Sequence, residues 1–271
     1  MTSATGSLSF VGLGLYGTRD VSLRGLHELQ HADVVFAEFY TSRPGAFDQA
    51  AFEQQIGRPI TMLSREQTER ADEVLAAART RKAALLVCGD PMTATTHVDL
   101  RLRAAREGIP TRIIHGSSIV TAAPGLLGLQ NYKFGRSTTL AYPQKNFFPT
   151  SPYEVIAGNQ TAGLHTLVFL DIQADRNRYM TAPEGLRLIL EMGTRLESTT
   201  ISEETLACVV ARAGSDQPLL AADRIKNLVD RDYGPPLHVL VIPGSLHFIE
   251  VDALMAFAGL PQDLGRRLHK L

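Results

Sequence analysis

The sequence predicts an α/β fold of two domains, the first built on a mostly parallel sheet and the second on a mixed one. Three observations predict it. Short apolar runs of strand length alternate with segments of helical period. In the first half the spacing is that of βαβ crossovers, which bring successive strands parallel. After Ser117 the connections lengthen and gain proline, which suits a mixed sheet better than a uniform one. The domains are therefore read as residues 1–117 and 118–271. No flexible linker marks the boundary near residues 115–120, so the halves are expected to pack rigidly.

The elements follow in order. Leu8–Leu13 reads as the first strand, Val34–Glu38 as the second, Pro59–Leu63 as the third, Ala84–Cys88 as the fourth and Thr111–His115 as the fifth. Helical patterns between them include Glu66–Arg79 and Val98–Glu107. A helix before the second strand takes up its apolar period at Val21-Ser22-Leu23, with Asp20 as the expected N-cap. In the second half, strands are expected near Thr138–Tyr142, Thr166–Asp171, Leu206–Arg212 and Val239–Ile242. Helices are expected near Tyr153–Ala162 and Pro183–Glu191. The start, Met1-Thr2-Ser3-Ala4-Thr5-Gly6-Ser7, is polar and small and reads as a frayed end, not a signal peptide.

Composition narrows the function. The chain has 271 residues, with 27 Lys+Arg against 28 Asp+Glu and a net charge of −1. A binder that neutralises nucleic-acid phosphates needs a basic excess, so no nucleic-acid partner is expected. Hydrophobic residues make up 44% and the net charge is small, whereas a disordered chain has fewer apolar residues and a larger net charge. Apolar runs such as Leu85-Leu86-Val87-Cys88 fall far short of the ~18–20 residues that cross a bilayer, so no membrane association is expected. Cys88 and Cys208 stand alone in apolar runs, which reads as two buried free thiols in a reducing compartment and hence a cytoplasmic protein.

Several loops could carry chemistry. Gly12-Leu13-Gly14-Leu15-Tyr16-Gly17 follows the first strand and matches G-x-G-x-x-G, with Glu38 ending the second strand, as in a dinucleotide fingerprint. Two features oppose that reading: the helix starts too late for Gly17 to lie in its first turn, and Tyr16 would crowd a pyrophosphate. A plain turn is the bland alternative. What remains is a glycine-rich loop at the carboxyl edge of a parallel strand, where open α/β sheets bind ligands. Gly89-Asp90-Pro91 ends the fourth strand. Asp90 there can accept hydrogen bonds from a ribose hydroxyl or an ammonium group, or cap the following helix. His115-Gly116-Ser117-Ser118-Ile119 ends the fifth strand with small residues on which a ligand can lie, although Ser118 equally suits an N-cap. No P-loop, HExxH or Gly-x-Ser-x-Gly occurs, so lysine-cradled phosphate, metal hydrolysis and the serine elbow lack support, and no metal is expected.

These segments carry a resemblance. Phe10-Val11-Gly12-Leu13-Gly14-Leu15-Tyr16, Phe36-Ala37-Glu38-Phe39-Tyr40-Thr41-Ser42, Leu63-Ser64-Arg65-Glu66 and Gly89-Asp90-Pro91 through Thr95-Thr96-His97 resemble archaeal diphthine synthases. So do Tyr132-Lys133-Phe134-Gly135, Phe148-Pro149-Thr150-Ser151, Gly163-Leu164-His165-Thr166, Phe169-Leu170-Asp171-Ile172, Tyr179-Met180-Thr181-Ala182 and Ala211-Arg212-Ala213-Gly214-Ser215. The first glycine loop and Gly-Asp-Pro alone point to the wider tetrapyrrole-methylase-like superfamily. The Ala-Glu-Phe-Tyr-Thr-Ser and Pro-Thr-Ser segments narrow it. The resemblance runs from Phe10 to about Gly259; it departs at Ala123–Gly125, which looks one residue longer, and in the tail beyond.

The resemblance implies two α/β domains with S-adenosylmethionine in the cleft between them, and a homodimer. It implies cofactor contacts at Leu15, Asp90, Thr93, Ser118, Ile119, Leu170, Ala213 and His238. It further implies methyl transfer to the amino group of 2-(3-amino-3-carboxypropyl)histidine on translation elongation factor 2, three times, to give diphthine. Relatives can carry Val where Thr93 stands, so that contact is expected through backbone. His238 is read as a cofactor contact and not a general base, and no catalytic side chain is assigned. His97, Tyr40 and Glu38 are candidates for the acceptor side, with packing an equal alternative. Competing readings are a related methyltransferase acting on a tetrapyrrole or ribosomal RNA, a nicotinamide-dependent oxidoreductase, and a non-catalytic partner of the translation machinery.

Overall fold

A computed structural model of the chain describes residues 5–40, 42–145 and 147–269. The expectation of a frayed start at Met1–Ala4 lies outside the described residues, as does Thr41 of the Tyr-Thr-Ser segment. By compactness the chain divides into two units. The first reaches Ile119 and takes in Ala174–Arg176; the second holds Val120–Gln173 and continues from Asn177.

The first unit contains β1 (Ser7–Gly12), α1 (Leu23–His31), β2 (Val34–Glu38), α2 (Gln49–Ile56), β3 (Ile60–Leu63), α3 (Arg65–Arg70), α4 (Asp72–Ala78), β4 (Lys82–Val87), α5 (His97–Arg106) and β5 (Thr111–Ile114). Its sheet is wholly parallel, in the order β3-β2-β4-β1-β5. The inner strands β1, β2 and β4 are buried on both faces and read as near-continuous apolar runs, whereas the edge strands β3 and β5 keep exposed positions. Alternate residues of β1 serve two cores. Leu8 and Phe10 pack with Val74, Leu75, Leu100 and Ala104 from α4 and α5, whereas Val11 packs with Leu29, Phe52 and Ile56 from α1 and α2. The chain therefore leaves β1 toward one face and leaves its neighbour β4 toward the other. Strands diverging in this way open a crevice at their carboxyl ends.

The second unit contains α6 (Ile119–Leu127, whose first residue closes the first unit), β6 (Thr138–Leu140), α7 (Ser151–Thr161), β7 (Thr166–Leu170) and the short hairpin β8 (Ile172–Gln173) and β9 (Arg178–Tyr179). Then come α8 (Ala182–Arg195), β10 (Leu206–Ala211), β11 (Leu219–Arg224), α9 (Ile225–Leu228), β12 (His238–Ile242), α10 (Phe248–Phe257) and α11 (Gln262–Leu268). The sheet order is β11-β10-β12-β7-β6. Only β6 and β7 pair parallel; the other three pairs are antiparallel, so this sheet is mixed as predicted. Its core gathers Leu140, Ile156, Val168, Leu186, Ile189, Val209 and Leu240.

Four sequence expectations need correction. The helix over Glu66–Arg79 is two helices, because Ala71 takes a left-handed conformation (φ 54°) that ends α3. Ser22, not Asp20, caps α1: its Oγ accepts from the Gly25 amide at 3.0 Å. Asp90 does not cap α5, which opens six residues later behind Thr96. Cys208 is buried as expected, but Cys88 is only half-buried. Among the described residues no helix is long and apolar enough to cross a membrane.

Candidate functional site

Three loops meet at the carboxyl edge of the first sheet, and they meet through glycine. Gly14 and Gly89 form an isolated antiparallel bridge, with the Gly89 amide donating to the Gly14 carbonyl at 2.8 Å. A Cβ on Gly12 would stand 2.6 Å from the Gly116 nitrogen and the Gly89 oxygen, and one on Gly116 would stand 2.4 Å from that oxygen. Side chains are excluded where the loops after β1, β4 and β5 touch backbone to backbone. This contact brings together the surroundings of five expected site residues: Leu15 after β1, Asp90 and Thr93 after β4, and Ser118 and Ile119 after β5.

The glycine loop is not arranged for a pyrophosphate. Asp20 folds back so that its Oδ2 accepts from the Tyr16 amide at 2.6 Å and the Gly17 amide at 3.2 Å. The donors that a dinucleotide phosphate would need are already taken by a carboxylate, which also repels an anion. Gly17 is pressed against residue 46, where a Cβ would come within 2.2 Å of the Ala46 oxygen, and the Tyr16 ring lies over Gly45. Gly14 has φ 94°, and a Cβ there would meet Asp20 Cβ at 2.4 Å. Its missing side chain is thus a demand of the loop itself.

Asp90 is nearly buried, and both carboxylate oxygens are engaged. Oδ1 accepts from the Met92 amide at 2.9 Å and the Thr93 hydroxyl at 3.3 Å. Oδ2 stands 2.7 Å from His115 Nδ1. Burial pushes its pKa up, but the Met92 amide and His115 outweigh it, and the group is held below the usual carboxylate range. An ionised acceptor at a strand end keeps further lone pairs for ribose hydroxyls or a cation. Leu15 in the loop after β1 and Ile119 at the start of α6 after β5 are half-buried.

Glu38, Tyr40 and His97 form a deeper cluster. Glu38 and His97 are buried, with His97 Nε2 3.4 Å from Glu38 Oε1 and His97 Nδ1 3.0 Å from the Pro91 carbonyl. Burial lowers the His97 pKa and raises that of Tyr40, to which the Glu38 charge adds. Glu38 and His97 therefore hold the loop after β4 from beneath; neither presents a surface to an acceptor.

In the second unit the three expected residues lie along one edge of the mixed sheet: Leu170 ends β7, Ala213 follows β10, and His238 begins β12, opposite Ala211. Leu170 is part of the core, so only its backbone is available to a ligand. The His238 ring is fully committed. Nδ1 accepts from the Ala182 amide at 3.1 Å and Nε2 donates to the Pro235 carbonyl at 3.2 Å. Burial lowers its pKa. A ring so occupied cannot act as a base.

Two features escaped the sequence. Glu250, wholly buried, ties four donors together at the other end of β7 and β12. Its signal was a lone acid three residues after His247 in an otherwise apolar helix start. His115 was read only as the start of a small-residue loop; its pairing with Asp90 across 25 residues leaves no sequence signal.

Comparison with known proteins follows from this geometry. The profile of the family described as Tetrapyrrole (Corrin/Porphyrin) Methylases matches residues 7–228. The diphthine synthase of Methanothermobacter thermautotrophicus is 51% identical, over 96% of this chain and 99% of its own. That of Methanocella arvoryzae is 47% identical, over 93% of this chain and 98% of its own. Among solved structures, a diphthine synthase crystal structure superposes with a TM-score of 0.85 at 37% identity, covering 96% of this chain and 98% of that one. A putative diphthine synthase from Entamoeba histolytica gives a TM-score of 0.86 at 34% identity, covering 93% and 98%.

Proposed function

The chain belongs to the tetrapyrrole methylase family and, within it, to the diphthine synthases, and from that premise we propose that it trimethylates the amino group of 2-(3-amino-3-carboxypropyl)histidine on translation elongation factor 2. The end-to-end 51% identity to a diphthine synthase carries the reading. S-adenosylmethionine supplies a reactive methyl on a sulfonium sulfur. Leu15, Asp90, Thr93, Ser118 and Ile119 of the first unit bind it, with Asp90 as the charged acceptor. Leu170, Ala213 and His238, which the resemblance also implies as cofactor contacts, lie along one edge of the second unit's sheet, with only the backbone of Leu170 available. The chain's work is alignment: holding amine, methyl and sulfur in line is worth up to ~7–11 kcal/mol of barrier.

The protein substrate is met without long-range steering, because a net charge of −1 gives little attraction. Association of ~10⁵–10⁶ M⁻¹s⁻¹ is expected. Phe248, Ile249 and Phe257 expose large apolar surface on α10, which supports a homodimer. The enzyme acts in the cytoplasm, with neither nucleic acid nor membrane as partner.

Labelled-methyl transfer tests this directly. Factor bearing the aminocarboxypropyl-histidine should be labelled; unmodified factor should not, since the nucleophilic amine is absent. Label in unmodified factor, or only in tetrapyrrole or ribosomal RNA, would end the reading. S-adenosylhomocysteine at 100 times its Kd should stabilise the fold by ~2.7 kcal/mol, whereas NAD should not. Asp90→Ala should weaken that binding by about 1.5–3 kcal/mol, the range for a charged hydrogen bond, measured by calorimetry.

A further inference from the structure

We propose that His115 is the proton acceptor for the substrate amine, an assignment that rests on the methyltransferase reading above. His115 follows β5 directly, at the edge where the glycine loops meet. Its Nδ1 lies 2.7 Å from Asp90 Oδ2; the carboxylate side chain is 10% exposed while the imidazole is 72% exposed. The ionised carboxylate only accepts, so Nδ1 donates to it. That fixes the neutral tautomer: Nε2 carries the lone pair, and among the described residues it has no hydrogen-bond partner. A buried acid orienting an imidazole whose second nitrogen is free is the arrangement of a general base held by a third group.

The other histidines do not offer this. His165 engages both nitrogens, with Glu250 and with the Gly244 amide. His238 does likewise with Ala182 and Pro235. His97 is buried. His269 pairs with Asp252 but stands beyond α11 in the second unit, and His247 precedes α10 there. His27 and His31 lie on α1, whose end leads into the opposite edge of the first sheet.

The chemistry asks for such a group. The substrate amine stands on the carbon that also carries a free carboxylate, which favours its charged form, so near neutrality it is mostly ammonium without a lone pair. Each of the first two transfers also leaves an ammonium that must lose a proton before the next. In the step proposed, the ammonium N–H bond breaks, its proton passes to His115 Nε2, and the electron pair stays on nitrogen. That pair forms the new N–C bond as the methyl–sulfur bond breaks, with its electrons remaining on sulfur. The exposed imidazolium then returns its proton to water. Exposure is therefore an asset: an acceptor side chain on a folded protein reaches only groups near the surface, and the base must be reset between transfers.

The test compares His115→Gln and His115→Ala with the parent enzyme. Since the ring is exposed, both variants should fold, with a melting temperature lowered only by the lost bond to Asp90. S-adenosylhomocysteine Kd by calorimetry should stay within threefold, and KM for the modified factor should change little. The methyl-transfer rate should fall by ~10²–10⁴-fold, the usual contribution of a general base. Added imidazole should restore part of the rate in His115→Ala and none in His115→Gln. A variant rate within threefold of the parent would overturn the assignment. So would a rise in Kd that matches the loss of rate, which would make His115 a cofactor contact. A parent enzyme that binds S-adenosylhomocysteine yet never labels the modified factor would instead defeat the function reading, and the base with it.

Discussion

The two units fix their loops by opposite means. In the first, the loops after β1, β4 and β5 are locked by glycine backbones in mutual contact, at the edge that carries the expected cofactor residues. In the second, the lock is a buried charge. Glu250 accepts from the Gln130 amide, His165 Nε2, Lys133 Nζ and the His247 amide, and His165 Nδ1 in turn accepts from the Gly244 amide. That cluster lies at the ends of β7 and β12 opposite to Leu170 and His238. Where loops pack backbone to backbone, side chains are absent; where they stand apart, a saturated carboxylate ties them together. Both units bury a Glu–His pair, but His97 Nε2 makes no hydrogen bond, whereas His165 is satisfied at both nitrogens.

Removing the charged lock should have the largest effect. Glu250→Ala would strand Lys133 and two backbone amides, and breaking a buried pair typically costs about 3–5 kcal/mol. Urea unfolding of the variant should show a loss of that size, with the two-unit chain analysed for separate transitions. A loss below about 1 kcal/mol would mean that Glu250 is not what holds these loops.

The glycine lock should be the next most sensitive. Gly14→Val places a β-branched side chain at φ 94° against Asp20 Cβ. Strain of this kind costs on the order of 1–3 kcal/mol, with overpacking added. The melting temperature should fall before S-adenosylhomocysteine affinity is considered. A variant of normal stability that has lost only ligand binding would show instead that Gly14 leaves space for the cofactor.

Acid should separate the two locks. Burial alone would raise the Glu250 pKa, but the His247 amide and Lys133 outweigh it and bring the pKa to about 2, from 4.5. A depressed carboxylate stabilises above its unfolded value, so this contribution is intact above about pH 4.5 and is lost as pH falls toward 2. His97, His165 and His238 are also depressed, by burial. The unfolded chain therefore takes up protons at these sites first, and stability declines as pH falls below about 6.5. Urea midpoints should drop in two stages; Glu250→Ala should flatten the lower one and, by removing the acid that raises the His165 pKa, deepen the upper one. A parent midpoint constant from pH 7 to 3.5 would contradict both assignments.

What the sequence disclosed follows from the same physics. Of the five parallel strands, β1, β2 and β4 are legible because they are buried on both faces, and the edge strands β3 and β5 because their β-branched residues favour strand despite exposed positions. β11 is not: Leu219-Leu220-Ala221-Ala222-Asp223-Arg224 favours helix intrinsically and is made a strand by antiparallel pairing with β10. α10 has no apolar stripe to read, since its faces are almost uniformly hydrophobic. At the site, the glycine loop and Gly-Asp-Pro were visible as local motifs. The Asp90–His115 and Glu250–Lys133 pairs span 25 and 117 residues, and contacts at that separation exist only once the strands are ordered.

The smallest effect is expected at a single hydroxyl, and it decides what Asp20 is for. Both Asp20 and Ser22 precede the apolar period of α1, and either residue type makes a good cap. The structure gives the helix to Ser22 and the glycine loop to Asp20. Ser22→Ala should therefore cost about 1 kcal/mol of stability, the usual value of a lost cap, and leave S-adenosylhomocysteine affinity unchanged. Asp20→Ala should instead free the Tyr16 and Gly17 amides and loosen the loop next to Leu15, so ligand affinity should fall alongside stability. Calorimetry on the two variants separates the roles. Were Ser22→Ala silent and Asp20→Ala a pure stability loss without change in affinity, Asp20 would be the cap after all, and the first unit's loop would depend on glycine contacts alone.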